Sequence, residues 1–78
     1  MRTFEVAEGK VISIEEELVK NFESCKQERL DKGTVLMYLF MKGKNPDSSS
    51  VEEMETAITK VLTEECISFG ILTSEKVS

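Results

Sequence analysis

The spacing of apolar positions changes several times along this chain, and each change marks an element. Phe4 and Val6 alternate with Thr3 and Glu5, the two-residue period of a strand. Ala7, Glu8, Gly9 and Lys10 supply a turn, with Gly9 able to take a positive φ. Val11 and Ile12 start a return strand. Residues 3–14 therefore read as a β-hairpin, with one bent strand as the alternative. From residue 14 to 31 the period becomes helical: Ile14, Leu18, Phe22 and Cys25 form a stripe that Val19 and Leu30 widen. Ser13 with Glu16 makes a capping box at its start. Glu15, Glu16 and Glu17 suit the positive end of the helix dipole, and Gly33 is placed to close the helix.

Residues 34–42, TVLMYLFMK, are apolar on every face, so periodicity cannot assign them. Their length, and Val35, Tyr38 and Phe40 among them, favour a buried strand. A short buried helix capped by Thr34 is the alternative. Asn45-Pro46-Asp47 within residues 43–50 is turn chemistry. Ser50 and Glu53 form a second capping box. Behind it Val51, Met54, Ile58, Val61, Leu62, Ile67 and Phe69 share one broad helical face, ending near Ser68 and Gly70. Ile71 and Leu72 lead a tail that reads as a short edge strand or a frayed end.

Two amphipathic helices need an apolar surface to cover. A sheet with 34–42 as its central strand provides one. The expected fold is α+β, a small two-layer ββαβα(β) sandwich with two helices on a three- or four-stranded sheet. If 34–42 is helical, the chain becomes a mostly helical bundle with an N-terminal hairpin. Residues 1–78 read as a single domain, since nothing marks an internal boundary and 78 residues suffice for one small core.

Composition narrows the chemistry. There is no histidine, which removes Ser-His-Asp and Cys-His arrangements and any imidazole base. No GxxxxGK[ST] or GxGxxG loop is present to cradle phosphate. The two cysteines, Cys25 and Cys66, make no CxxC pair, and a zinc site is short of ligands. They read as two buried thiols on helix faces, with a disulfide between the helices as the alternative. Asn45, Asp47 and Ser49 have the first spacings of a calcium loop. Ser50 and Thr56 stand where that loop needs glycine and an acid, so a turn and cap is the better reading. No catalytic residue, cofactor or metal is expected, and the chain is not expected to be an enzyme.

Net charge is −5 and unevenly spread. Residues 26–44 carry five basic and two acidic side chains, +3; residues 45–75 carry one basic and seven acidic, −6. The N-terminus lacks the apolar run of a signal peptide, and the longest apolar run, Val35 to Met41, is far short of a membrane span. The expected location is cytoplasmic, of a cell or of an infected host, with no membrane partner. The overall acidity opposes nucleic-acid binding. A ribbon-helix-helix DNA-binding dimer, with Lys10–Ser13 as the ribbon, would put three glutamates directly behind the readout residues.

Residues 35–58, VLMYLFMKGKNPDSSSVEEMETAI, run from an apolar segment through a basic link, Asn-Pro-Asp and serines to an acidic amphipathic helix. This order resembles a segment of the tail assembly chaperones of long-tailed bacteriophages, in which an apolar helix, an asparagine-proline-aspartate turn and another helix follow one another. The short N-terminal hairpin with Gly9-Lys10 is similar in outline. The resemblance implies a helical 34–42, with Tyr38, Phe40 and Met41 facing the core or a neighbouring subunit. It also implies a phage or prophage protein that binds an aggregation-prone structural protein during assembly.

The expected function is thus a small non-catalytic protein-binding accessory factor, assembly-chaperone-like, acting on a protein partner or through self-association. The alternative is an acidic inhibitor that occupies the basic groove of a nucleic-acid enzyme. Candidate contacts are Tyr38, Phe40, Lys42 and Lys44 on an apolar and basic edge, and Glu52, Glu53 and Glu55 on an acidic face.

Overall fold

The computed structural model describes residues 1–26 and 28–71, except for the side chain of Lys26. The fold is α+β, an N-terminal antiparallel hairpin with three helices packed against it, in the order ββααα. Strand β1 spans Arg2–Ala7 and strand β2 spans Lys10–Ile14, paired from Arg2↔Ile14 to Ala7↔Lys10. The expected turn forms, and a register irregularity falls between Glu5 and Ala7. Phe4 and Val6 of β1 and Ile12 and Ile14 of β2 are all buried, so one face of the hairpin is the floor of the core.

Helix α1 spans Glu16–Lys26, shorter than the segment 14–31 that the periodicity predicts. Ser13 does not cap it. Ser13 lies in β2, paired with Thr3, and the first helical bond runs from the Val19 N–H to the Glu15 carbonyl. The apolar residues at 12 and 14 continue the strand period through the supposed cap. Leu30 is buried beyond the helix end, and its N–H donates to Glu23 at 3.0 Å. The stripe was thus extended by a core residue that belongs to a connection.

Helix α2 spans Lys32–Met41, which corrects the strand expected over 34–42 and with it the ββαβα(β) sandwich. Among the described residues the sheet has two strands and no third. The helix starts on Asp31, whose carboxylate accepts from the Thr34 N–H at 3.0 Å and from its hydroxyl at 3.1 Å. Asp31 thus opens α2 rather than ending the helix expected over 14–31, and Gly33 sits in the first turn of α2 rather than closing α1. Val35 and Leu39, one turn apart, point into the core. The Tyr38 ring meets Phe22 of α1 edge-on, with centroids 5.8 Å apart.

Helix α3 spans Val51–Ser68. Its start is as expected: the Ser50 hydroxyl accepts from the Glu53 N–H at 3.1 Å. Met54, Ile58, Leu62 and Cys66 recur every fourth residue and all face the core. Both α2 and α3 end in the same way. Gly43 N–H donates to Phe40 and Lys44 N–H to Leu39; Gly70 N–H donates to Ile67 and Ile71 N–H to Cys66. These are paired Schellman bonds, and the positive φ that each needs, 74° at Gly43 and 82° at Gly70, is why glycine stands there. Between the helices the Asn45 side chain accepts from the Asp47 N–H at 2.9 Å, the turn that the Asn-Pro-Asp sequence predicts. Ile71 ends the described residues in the Schellman motif and not in a strand; Leu72 and the rest of the expected tail strand lie outside them.

Side chains of the strands and helices tie the elements together. Arg2 bonds Glu16 at 2.7 Å and Glu23 at 3.2 Å, and the same Glu23 oxygen holds the Leu30 N–H. The Arg2 guanidinium is held above its ordinary value, chiefly by the hydrogen bond to Glu16. Lys10 reaches the Ser49 carbonyl at 2.9 Å, and Glu55 of α3 accepts from the Ser13 N–H at 2.6 Å. Among the described residues no buried side-chain nitrogen or oxygen lacks a partner.

Candidate functional site

The unusual feature of this surface is α2. A helix on the outside of a small protein normally turns one apolar stripe inward and polar residues outward. Here Val35 and Leu39 face in, while Met37, Phe40 and Met41, at i, i+3 and i+4 on the opposite side, face out. They are 55%, 82% and 69% exposed. Phe40 is the most exposed large apolar side chain among the described residues. Between Lys32 and Lys44 there is no acidic residue. Lys32 and Lys42, both exposed, stand at the two ends of the helix.

The residues expected at the apolar and basic edge separate on this frame. Phe40 and Lys42 are exposed. Tyr38 is half-buried and spends its ring on Phe22. Lys44 is half-buried, with its Nζ 3.9 Å from Glu53. Met37 and Met41 belong to the exposed face too, not to the buried strand expected over 34–42. Their position three and four residues from Phe40 becomes informative only once the segment is known to be helical.

The acidic candidates separate too. Glu52 and Glu53 are exposed on the first turn of α3, where the helix dipole favours them. Glu55 points the other way, to the Ser13 N–H, and its role there is to satisfy the open edge of β2. Glu52, Glu53 and Glu64 line an open groove of about 570 Å³ beside Lys42, Lys44 and Lys60. Three carboxylates facing three ammonium groups leave the groove with no net charge to attract a basic surface. Glu52 and Glu53 therefore belong to a mixed-charge depression rather than to a continuous acidic face.

The residues considered for nucleic acid or metal are placed as follows. Lys10 is bonded to the Ser49 carbonyl and the Ser13 N–H to Glu55, while β2 pairs with β1 of its own chain. Among the described residues no three His, Cys, Asp or Glu side chains group so as to hold a metal ion. No described helix is long and apolar enough to cross a membrane.

Cys25 and Cys66 are free thiols, in the last turns of α1 and α3. Their Sγ atoms lie 3.6 Å apart. Cys25 Sγ is also 3.3 Å from the Phe22 carbonyl. The Cys25 thiol thus has two acceptors in reach, the Phe22 carbonyl and Cys66 Sγ. Burial pushes the Cys66 thiol up to about 12, and the contact with Cys25 adds to the effect.

Comparison with protein-family models, with curated proteins and with solved structures found no match to this chain.

Proposed function

We propose that this protein is a non-catalytic binding module whose outer α2 face docks an apolar segment of another protein. The observation that carries this reading is the second apolar face of α2: Met37, Phe40 and Met41 turned away from a core already filled by Val35 and Leu39. Leaving three large apolar side chains in water contributes nothing to folding, whereas covering a Phe or Met side chain stabilises a complex by about 1.5–3 kcal/mol each before association costs. Charge selects the occupant. Residues 32–44 hold no carboxylate, and Lys32, outside the balanced groove, is exposed at the start of α2, so the face fits an amphipathic helix or extended segment with an apolar ridge and acidic residues flanking it.

The order of α2, the Asn45 turn and α3 matches the order of elements in the phage tail assembly chaperones that residues 35–58 resemble, and supports an assembly role of that kind in the cytoplasm. The acidic-inhibitor reading is less well supported. Glu55 is engaged by the hairpin and the groove at Glu52 and Glu53 is balanced by lysines. The DNA-binding reading loses the Lys10 ammonium to the Ser49 carbonyl, and Glu55 sets a carboxylate against the Ser13 backbone N–H, where phosphate would approach.

The test uses the full chain and two synthetic peptides. Both carry leucines at i, i+3, i+4 and i+7; one has glutamates at its ends and the other lysines. The acidic-ended peptide should bind more tightly, weaken with added salt, and shift the amide resonances of α2. F40K and M37K should abolish binding without unfolding the chain. Binding of neither peptide, or resonance shifts confined to other elements, would overturn the proposal. Concentration-dependent dimerisation lost in F40K would give the face to a second copy and overturn the choice of partner.

A further inference from the structure

We propose that Cys25 and Cys66 are a reversible dithiol site, which a small disulfide such as glutathione disulfide converts to an internal disulfide that fastens α1 to α3. The inference is independent of the α2 face. The two Sγ atoms are 3.6 Å apart, and a disulfide bond needs a contraction of about 1.5 Å from there. Each cysteine lies in the last turn of its helix, Cys25 at the end of α1 and Cys66 at the end of α3. Access to the two sulfurs is unequal. Cys25 is half-buried and Cys66 is fully buried. One sulfur can therefore be reached by a small disulfide, whereas the other is closed to a molecule of that size and forms its bond with the first.

The inequality sets the order of steps. The Cys25 thiol loses its proton to solvent, and the thiolate attacks the sulfur–sulfur bond of the small disulfide, releasing one small thiolate, which takes up a proton, and retaining the other half as a mixed disulfide. Cys66 then gives its proton to hydroxide, and its thiolate attacks Cys25 Sγ and expels the second small thiolate. Two protein thiols are oxidised to one disulfide, and one small disulfide is reduced to two thiols. Burial keeps Cys66 protonated at neutral pH, so the second step is slow there and accelerates as pH rises. The bond closes a loop between residues 41 apart that contains all of α2. It also holds the carbonyl of Cys66, which accepts the Ile71 N–H.

The experiment incubates the reduced full chain with glutathione disulfide between pH 7 and pH 9. The expected product has lost two hydrogens by mass, has no alkylatable thiol, is monomeric on a non-reducing gel and reverts with dithiothreitol. Its Tm should rise by about 10 °C or more, as expected for a loop of this length. Its rate of formation should increase with pH. In C25S, Cys66 should react far more slowly than the wild-type pair. A product that stops at the mixed disulfide, a disulfide between chains, or an internal bond that leaves Tm unchanged would each overturn the proposal. So would a Cys66 in C25S that reacts as fast as the wild type.

Discussion

Three side chains at the ends of elements have jobs that composition hides. Glu55 is one of fifteen acidic residues and looks like a surface charge, yet it holds the Ser13 N–H at 2.6 Å. E55A should destabilise the fold by about 1–2 kcal/mol, since a half-buried donor loses a charged acceptor. E55Q, which keeps an acceptor oxygen, should lose less; urea unfolding followed by circular dichroism separates the two. Ser50, by contrast, is legible: a hydroxyl before an apolar run with Glu53 after it. S50A should cost about 1 kcal/mol by the same measurement. Asp31 adds a pH dependence. The hydrogen bonds from Thr34 hold its carboxyl below the ordinary range. A carboxyl depressed in the folded state stabilises that state above its unfolded pKa. The contribution is lost as pH falls through the lower folded value. Acid titration of α2 should therefore show an unfolding component at low pH that is missing in D31N, whose amide still caps but does not titrate.

At the scale of elements, the hairpin and α3 were readable, and α1 and α2 only in part. The hairpin and α3 have single-sided apolar patterns with polar residues opposite, so the period names both the element and the face it buries. Residues 34–42 have no polar side. Apolarity on both faces was attributed to burial on both faces, which suggested a central strand. The structure has one buried and one exposed apolar face, and sequence alone does not distinguish these cases because both give the same letters. Asp31 and Thr34 were the signal that could have decided it, as a cap three residues long at the head of the run. The two faces of α2 should respond oppositely to mutation. L39A should cost about 2–5 kcal/mol through the cavity left in the core. M37K and F40K should stay within about 0.5 kcal/mol of wild type in urea unfolding, because no core contact is lost.

At the scale of the whole molecule, one apolar cluster draws residues from both strands and all three helices. Such a core gives no element an independent reason to stay folded, so unfolding should be all-or-none. The chain has one tyrosine and no tryptophan, and Tyr38 rests on Phe22 across α1 and α2. Its fluorescence reports that junction, while far-ultraviolet circular dichroism reports all the helices together. The two urea curves should coincide. A fluorescence midpoint at lower urea would mean that α2 detaches first. The candidate surface was legible as a composition, an apolar and basic stretch at 35–44. Which of its residues face water was not, because that depends on the segment being helical, with Val35 and Leu39 turned into the core.

The bond from Ser13 to Glu55 also bears on how copies of this chain can assemble. A two-stranded sheet is an open template, and an unpaired edge recruits strands from other chains and seeds fibres. On the β2 side that template is already occupied, by a carboxylate that cannot itself be extended. Growth of the sheet by strand addition is stopped at this position, so filaments built through the β2 edge are disfavoured.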